Sequence, residues 1–322
     1  MRIWKKHVDV YEHINKIDDY LRKALTANQP VLNDAINDLL SAGGKRLRPV
    51  MVLLSGHFGR YDEKKLIPLS AAVEIMHMAT LVHDDIIDES ELRRGRPTTR
   101  SRWGNQVAVL TGDFLFTKAF SLVTHNVSQK NMHHLSNAIR AICEGEVDQF
   151  QSRYTKDISI LRYLKRIARK TAALFSLSCQ VGASESNCRY ETIRCLKKFG
   201  HDFGMAFQIT DDLLDFNGSR NEMGKPLYTD FAEGIYTLPI IYTLQNKQYG
   251  ERMESYIGRK DLSEPEIREV GQLVVESGGL DKSKQLALRY LDRCHESLGH
   301  LPNNSAKGAM KELVEELIER RY

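Results

Sequence analysis

The sequence predicts an all-α protein built from long helices, and three observations carry that prediction. Apolar pairs recur at four-residue spacing, as in Val31-Leu32, Ala35-Ile36 and Leu39-Leu40, which is the stripe of an amphipathic helix. No strand-like alternation flanks an Asn-Gly or Asp-Gly hairpin turn. Proline is scarce, 8 in 322 residues beside 21 glycines, so little of the chain reads as linker or turn-dense β structure. Breaks at 42–44, 56–59, 95–97, 218–226 and 277–279 divide the chain into about eight to twelve helices. No composition shift, repeat or low-complexity tract interrupts it, which predicts a single domain over residues 1–322. Its motif-bearing core runs from about 30 to 245, and more highly charged outer helices occupy about 250–322.

Composition narrows the function. The chain carries 46 Lys+Arg against 42 Asp+Glu, a net charge of +4, with 42% hydrophobic and 27% charged residues, which excludes bulk disorder. Acids are interspersed among the bases, so no basic stripe for nucleic acid emerges, whereas an anionic small molecule fits. The longest uncharged apolar stretch, Thr171 to Ser184, is shorter than the ~20 residues of a membrane span, so no transmembrane segment is expected. Asp9, Glu12, Asp18 and Asp19 follow the basic N-terminus too soon for a secretory core, which predicts a cytoplasmic protein. Cys143, Cys179, Cys188, Cys195 and Cys294 are odd in number and lack CxxC spacing; they read as reduced thiols.

The chemistry lies in two aspartate runs. His83-Asp84-Asp85-Ile86-Ile87-Asp88 puts Asp84 and Asp88 on one face of a helix, about 5–6 Å apart at Cβ. Asp211-Asp212-Leu213-Leu214-Asp215 repeats the arrangement. Neighbouring carboxylates repel unless a cation sits between them, and these hard oxygen donors suit Mg²⁺, which completes its shell with substrate phosphates. Basic clusters accompany them: Lys45 and Arg48 in Gly43-Gly44-Lys45-Arg46-Leu47-Arg48-Pro49, then Arg93-Arg94-Gly95 directly after the first run, then Arg169-Lys170-Thr171 and Gly224-Lys225-Pro226. Acids and cations on separate helices are able to hold one diphosphate through Mg²⁺ and another through Arg and Lys.

With Glu74-Ile75-Met76-His77, Gln208 and Thr237-Leu238-Pro239 added in order, the chain resembles the trans-isoprenyl (polyprenyl) diphosphate synthases, and within them the catalytic component of the heptaprenyl branch. The resemblance implies an isoprenoid-synthase-type bundle around a central apolar cavity. The implied activity is Mg²⁺-dependent head-to-tail condensation of isopentenyl diphosphate with an allylic diphosphate such as farnesyl, giving heptaprenyl or similar diphosphate for a menaquinone side chain. It implies that Lys45, Arg48, His77 and Arg94 bind isopentenyl diphosphate, and that Arg93, Lys170, Thr171, Gln208 and Lys225 contact the allylic diphosphate. Asp84, Asp85, Asp88, Asp211, Asp212, Asp215 and Lys170 are the implied catalytic set, with Mg²⁺, in more than one ion, on Asp84, Asp88 and Asp211. No protein nucleophile is required.

The implied partners are the two substrates and a second subunit, either another copy or a small non-catalytic component, with transient membrane-surface contact for product release. Met76, Ala79 and Thr80, one to two turns before Asp84, would set chain length; none is aromatic, which predicts products longer than geranylgeranyl. The alternatives are a homodimeric geranylgeranyl, hexaprenyl or octaprenyl synthase, a class I terpene cyclase, whose second metal motif is usually an Asn/Ser/Glu pattern, and a non-catalytic subunit, which would have lost its carboxylates. The chain departs from the family at Tyr228, where a Gly is usual, and at Ile235, where a Lys often stands.

Overall fold

A computed structural model describes residues 8–93, 95–216 and 228–319. The helices run α1 (Val8–Ala24), α2 (Pro30–Ser41), α3 (Leu47–Gly56) and α4 (Glu63–Ile87), then α5 (Thr99–Asn126), α6 (Gln129–Ser152) and α7 (Ile160–Ile167). A π-helical turn (Ala168–Ala172) leads into α8 (Ala173–Glu185) and α9 (Tyr190–Leu214). The chain ends with α10 (Thr229–Ala232), α11 (Leu238–Leu244), α12 (Gly250–Glu254), α13 (Glu264–Glu276), α14 (Gly279–Gly299) and α15 (Ser305–Glu319).

The protein is all-α, as the periodicity predicts, with two local differences. Among the described residues there are more helices than the expected eight to twelve, because α10, α11 and α12 span only 4, 7 and 5 residues, too short for a period of 3.6 to register. A two-strand hairpin, β1 (Leu92–Arg93) with β2 (Arg96–Pro97), pairs Leu92 with Pro97 and Arg93 with Arg96. Strands of two residues cannot show alternation. Gly95, at φ 75°, takes the left-handed conformation inside the hairpin's turn.

The chain forms two compact units: Met1–His134, Ser178–Arg194 and Pro302–Ala309 make the first, and Leu135–Leu177, Cys195–Leu301 and Met310–Tyr322 the second. In the first, α4 is buried without a break from Leu66 to Met76, and α3 from Pro49 to Gly56. Helix α4 packs closely on α5: a Cβ on Gly112 would stand 2.1 Å from Nε2 of His83, so the imidazole occupies the space a side chain would fill. By length and composition, α4 and the Thr99–Thr124 stretch of α5 are apolar enough to cross a membrane. Protein already covers 78% of that window in α4, as in a core helix, but only 33% in α5.

In the second unit Phe175 packs against Phe203 and Phe207, each at 5.5 Å between ring centroids. A separate cluster joins Phe216, Phe231, Tyr236, Ile240, Met253 and Val270. Tyr228 borders it in a left-handed conformation (φ 61°, ψ 29°), which costs a non-glycine residue about 1–2 kcal/mol and accounts for the glycine usual at this position. Its ring compensates by packing 5.4 Å from that of Phe216 and over Gly271, where a Cβ would come within 2.2 Å of Tyr228 Cζ.

A buried carboxylate paired with a partly exposed lysine helps to secure the first unit. Glu185, 6% exposed, accepts hydrogen bonds from the backbone and hydroxyl of Ser128 at 2.9 and 2.8 Å and from Asn131 at 2.6 Å, and pairs with Lys65. Burial alone would raise its pKa, but Lys65, Asn131 and Ser128 together bring it below the usual 4.5. Because the folded value is the depressed one, the pair's stabilisation is complete above about pH 5 and disappears as pH falls through the folded pKa. Glu185→Gln is expected to cost about 1.5–3 kcal/mol at neutral pH. In urea unfolding followed by circular dichroism, the gap from wild type should close on acidification below the unfolded carboxylate pKa; a gap constant from pH 7 to pH 3 would contradict this.

Candidate active site

Both aspartate runs stand at the C-terminal ends of long helices. Asp84 and Asp85 occupy the last turn of α4 and Asp88 is its C-cap, with the Asp88 N–H donating to the Asp84 carbonyl at 2.8 Å. Asp211 and Asp212 occupy the last turn of α9, and the Asp215 N–H donates to the Asp212 carbonyl at 3.3 Å. Neither last turn contains a basic residue. A helix C-terminus carries about half a negative charge, so carboxylates there are destabilised by the dipole as well as by each other. A cation relieves both repulsions.

In the first unit the carboxylates differ in environment. Asp85 is 2% exposed and accepts from Nε and Nη2 of Arg93 at 2.8 Å each, while Asp84 and Asp88 are half-buried. Burial pushes the Asp85 carboxyl above its ordinary pKa, the nearby Arg93 guanidinium pulls it back, and Asp88 adds a smaller upward push. The hairpin exists at the place where it lets Arg93 reach back eight residues to Asp85.

The cationic side chains of this unit are similarly divided. Arg46, in a left-handed conformation at φ 48° before α3, is 7% exposed and binds Glu74 and Asp18 at 2.8 Å each. It is a structural residue inside a motif whose neighbours, Lys45 and Arg48, were the expected ligands. Lys45 is exposed, and Arg48 Nη1 lies 3.0 Å from His77 Nε2, which brings two of the expected isopentenyl ligands together from α3 and α4. A cavity of about 270 Å³ has His77, Asp85, Arg93, Gly43, Arg46 and Glu74 in its walls, but neither Lys45 nor Arg48. Met76 and Ala79 are buried in α4, and the half-buried Thr80 donates from its hydroxyl to the His77 carbonyl at 2.8 Å. Arg94 and Lys225 lie outside the described residues.

In the second unit the π turn carries Lys170 and Thr171. Gly145 of α6 and Gly204 of α9 let two helices approach it: a Cβ at Gly145 would stand 3.2 Å from the Lys170 nitrogen, and one at Gly204 2.6 Å from Cα of Ala172. Lys170 pairs with Glu146 at 2.9 Å. The Thr171 hydroxyl donates to Gln208 Oε1 at 2.6 Å, and Gln208 Nε2 donates to Asp212 Oδ1 at 2.7 Å. The other Asp212 oxygen accepts from the Tyr163 hydroxyl at 2.7 Å. Burial pushes the Asp212 carboxyl up to about 6; Tyr163 and Gln208 oppose the shift and Asp211 adds to it. Asp215 is 1% exposed and its Oδ2 faces the Asp230 N–H at 3.4 Å, whereas Asp211 is half-buried.

The residue-type reading missed Arg46, Glu74, Glu146 and Tyr163. Glu74 and Arg46 sit within the quoted motifs, but nothing in their spacing separates a buried pair from a ligand. Tyr163 lies outside every motif. Among the described residues no group of three or more His, Cys, Asp or Glu side chains encloses a metal site. The donor chemistry nevertheless fits Mg²⁺, which takes one or two carboxylates and leaves positions for water and phosphate oxygens.

A family model described as polyprenyl synthetase matches residues 29–274. Heptaprenyl diphosphate synthase component 2 of Geobacillus stearothermophilus is 37% identical over 306 residues, 95% of either chain. The geranylgeranyl diphosphate synthase of Saccharolobus solfataricus is 33% identical over 321 residues, 96% of either chain. The crystal structure of heptaprenyl diphosphate synthase from Staphylococcus aureus superposes with a TM-score of 0.92 at 36% identity, covering 97% of this chain and 98% of that one.

Proposed function

This chain belongs to the polyprenyl synthetase family and is a prenyltransferase, and on that premise we propose that it condenses isopentenyl diphosphate with an allylic diphosphate to make long all-trans polyprenyl diphosphates, heptaprenyl among them. The observation that carries the proposal is the pair of aspartate runs, each closing a helix at its negative end, with intact carboxylates and basic side chains in the same unit. A terpene cyclase is disfavoured by Asp211-Asp212-Leu213-Leu214-Asp215, and a non-catalytic subunit by the survival of both runs.

Asp84 and Asp88 in one unit and Asp211 in the other would hold Mg²⁺, with Asp85, Asp212 and Asp215 supporting them from inside the protein. Bound there, Mg²⁺ supplies Lewis-acid stabilisation of the departing pyrophosphate. Lys170, Thr171 and Gln208 would orient the allylic diphosphate, and Lys45, Arg48 and His77 would hold the isopentenyl diphosphate. The allylic carbon–oxygen bond breaks with its electron pair leaving on the pyrophosphate; the isopentenyl double bond attacks the allylic cation, and a proton passes to the pyrophosphate. The hydroxyl of Thr171 and the amide oxygen of Gln208 present dipoles, while apolar walls keep out the water that would quench a cation.

The structure contributes an argument for the second subunit. The apolar helix α5 leaves Val109, Leu110 and Phe120 exposed at 43, 61 and 39%, and we assign a second copy of the chain as the partner that covers them. The G. stearothermophilus relative is named as one component of its enzyme, so a small non-catalytic component is the other reading. Sedimentation of the isolated chain should give a dimer that Leu110→Glu converts to monomer; a wild-type monomer would favour the second component.

Mixing farnesyl and isopentenyl diphosphates with the protein should release pyrophosphate only when Mg²⁺ is present. Asp84→Ala and Asp211→Ala should each lower kcat by about 10³-fold or more with much smaller changes in KM, since the lost interaction is strongest as the diphosphate departs. Near-normal turnover in either variant at saturating Mg²⁺ would sink the metal assignment.

Chain length follows from α4. Ala79 and Met76 are buried and non-aromatic, as are Ala72 and Val73, so the helix offers no ring to stop a growing chain over at least two turns, about 11 Å. Ala79→Phe should shorten the products to farnesyl or geranylgeranyl diphosphate, read by thin-layer or liquid chromatography. An unchanged distribution from a variant with a wild-type circular-dichroism spectrum would place the limit elsewhere, the half-buried Phe116 of α5 being the next candidate.

A further inference from the structure

The buried hydroxyl of Tyr163 belongs to no motif and makes no contact in the mechanism above, yet it donates to one oxygen of Asp212 at 2.7 Å while Gln208 donates to the other at 2.7 Å. Tyr163 is 2% exposed and Asp212 5%. The strap continues from Gln208 to the Thr171 hydroxyl at 2.6 Å, so the segment that carries Tyr163 and Thr171 is tied to α9 at both ends.

Helical geometry explains how one face supplies both ties. In an uninterrupted α-helix, residues eight apart differ by about 80° in azimuth. The π turn at Ala168–Ala172 accommodates one extra residue, which reduces the separation to seven α-helical steps, or about −20°. Tyr163 and Thr171 therefore share a face. Their acceptors Gln208 and Asp212 are four residues apart on α9 and share one as well.

We propose that Tyr163 is a positioning residue for the second aspartate run: by holding the Asp212 carboxylate inside the protein, it leaves Asp211 as the carboxylate that receives the divalent cation. The inference rests on the proposed function and deepens it. Without the Tyr163 hydroxyl, Asp212 retains only the Gln208 bond, and its carboxylate is released to turn towards Asp211. Two adjacent carboxylates then compete for the ion, and the turn that presents Asp211 loses its anchor. Burial and the Asp212 charge both raise the Tyr163 pKa well above its ordinary value, so the phenol keeps its proton and remains a donor at neutral pH.

The test is direct metal binding to the full chain. Mn²⁺ titrated in the presence of an unreactive thio-linked farnesyl diphosphate, followed by electron paramagnetic resonance, should bind Tyr163→Phe about 10 to 100-fold more weakly than wild type. The Mg²⁺ concentration for half-maximal turnover should rise in parallel, with most of kcat recovered at saturating metal. Tyr236→Phe removes another buried tyrosine hydroxyl from the same unit, the acceptor of the Gly258 N–H at 2.7 Å, and should leave Mn²⁺ affinity unchanged. In an Asp212→Asn background, Tyr163→Phe should have no further effect on Mn²⁺ binding, because its action passes through that carboxylate. Wild-type Mn²⁺ affinity in Tyr163→Phe, or an equal loss in Tyr236→Phe, would overturn the positioning role while leaving the functional reading standing. A wild-type chain with no diphosphate-dependent Mn²⁺ binding would overturn both.

Discussion

Negative charge concentrated at the negative end of a helix is the constraint around which each unit of this protein is arranged. Helices α4 and α9 both terminate in aspartates with no base in the last turn, against the dipole preference of an isolated helix. Part of the charge at each end is satisfied from within the fold. The two units accomplish this with different chemistry. In the first, the Arg93 guanidinium reaches back from a hairpin to Asp85; in the second, neutral donors from Tyr163 and Gln208 hold Asp212.

That difference has consequences for what each end is able to do. Arg93 is bound by Asp85 but half-exposed, so it combines a structural contact with a face that remains available to an anion. Asp212 has no cation among its hydrogen-bond donors, and burial raises its carboxyl. The π turn belongs to the same arrangement. An extra residue in the helix brings Thr171 round to α9, and the small cross-sections of Gly145 and Gly204 let α6 and α9 close upon it. A π turn is a poorer helix than its neighbours, and it persists here because both sides of it are packed.

Much of this was legible in the sequence. The all-α class, the breaks at 42–44 and 56–59, and the two aspartate runs follow from periodicity and spacing, which are local properties. The usual glycine at the position of Tyr228 was legible as a departure, and the backbone shows its cause: φ is +61°, a conformation glycine adopts freely and tyrosine holds only by packing against Phe216 and above Gly271. Other features left no signal. Helices α10 to α12 are one or two turns long, and the hairpin strands are two residues each, so no period develops in them.

By itself, the sequence determined which residues stand together as candidate groups: the acids at four-residue spacing, the basic clusters beside them and the non-aromatic stretch before Asp84. It did so because side-chain type and helical spacing are enough to put like charges on one face. Only the tertiary structure decided the environments within each group. Lys45 is exposed while Arg46 is buried against Glu74 and Asp18, and Asp84 is half-buried while Asp85 is bound by Arg93. The reason is that burial and pairing depend on residues far along the chain, 28 positions away for Arg46 and Glu74 and 49 for Tyr163 and Asp212, and no local pattern encodes a partner at that distance.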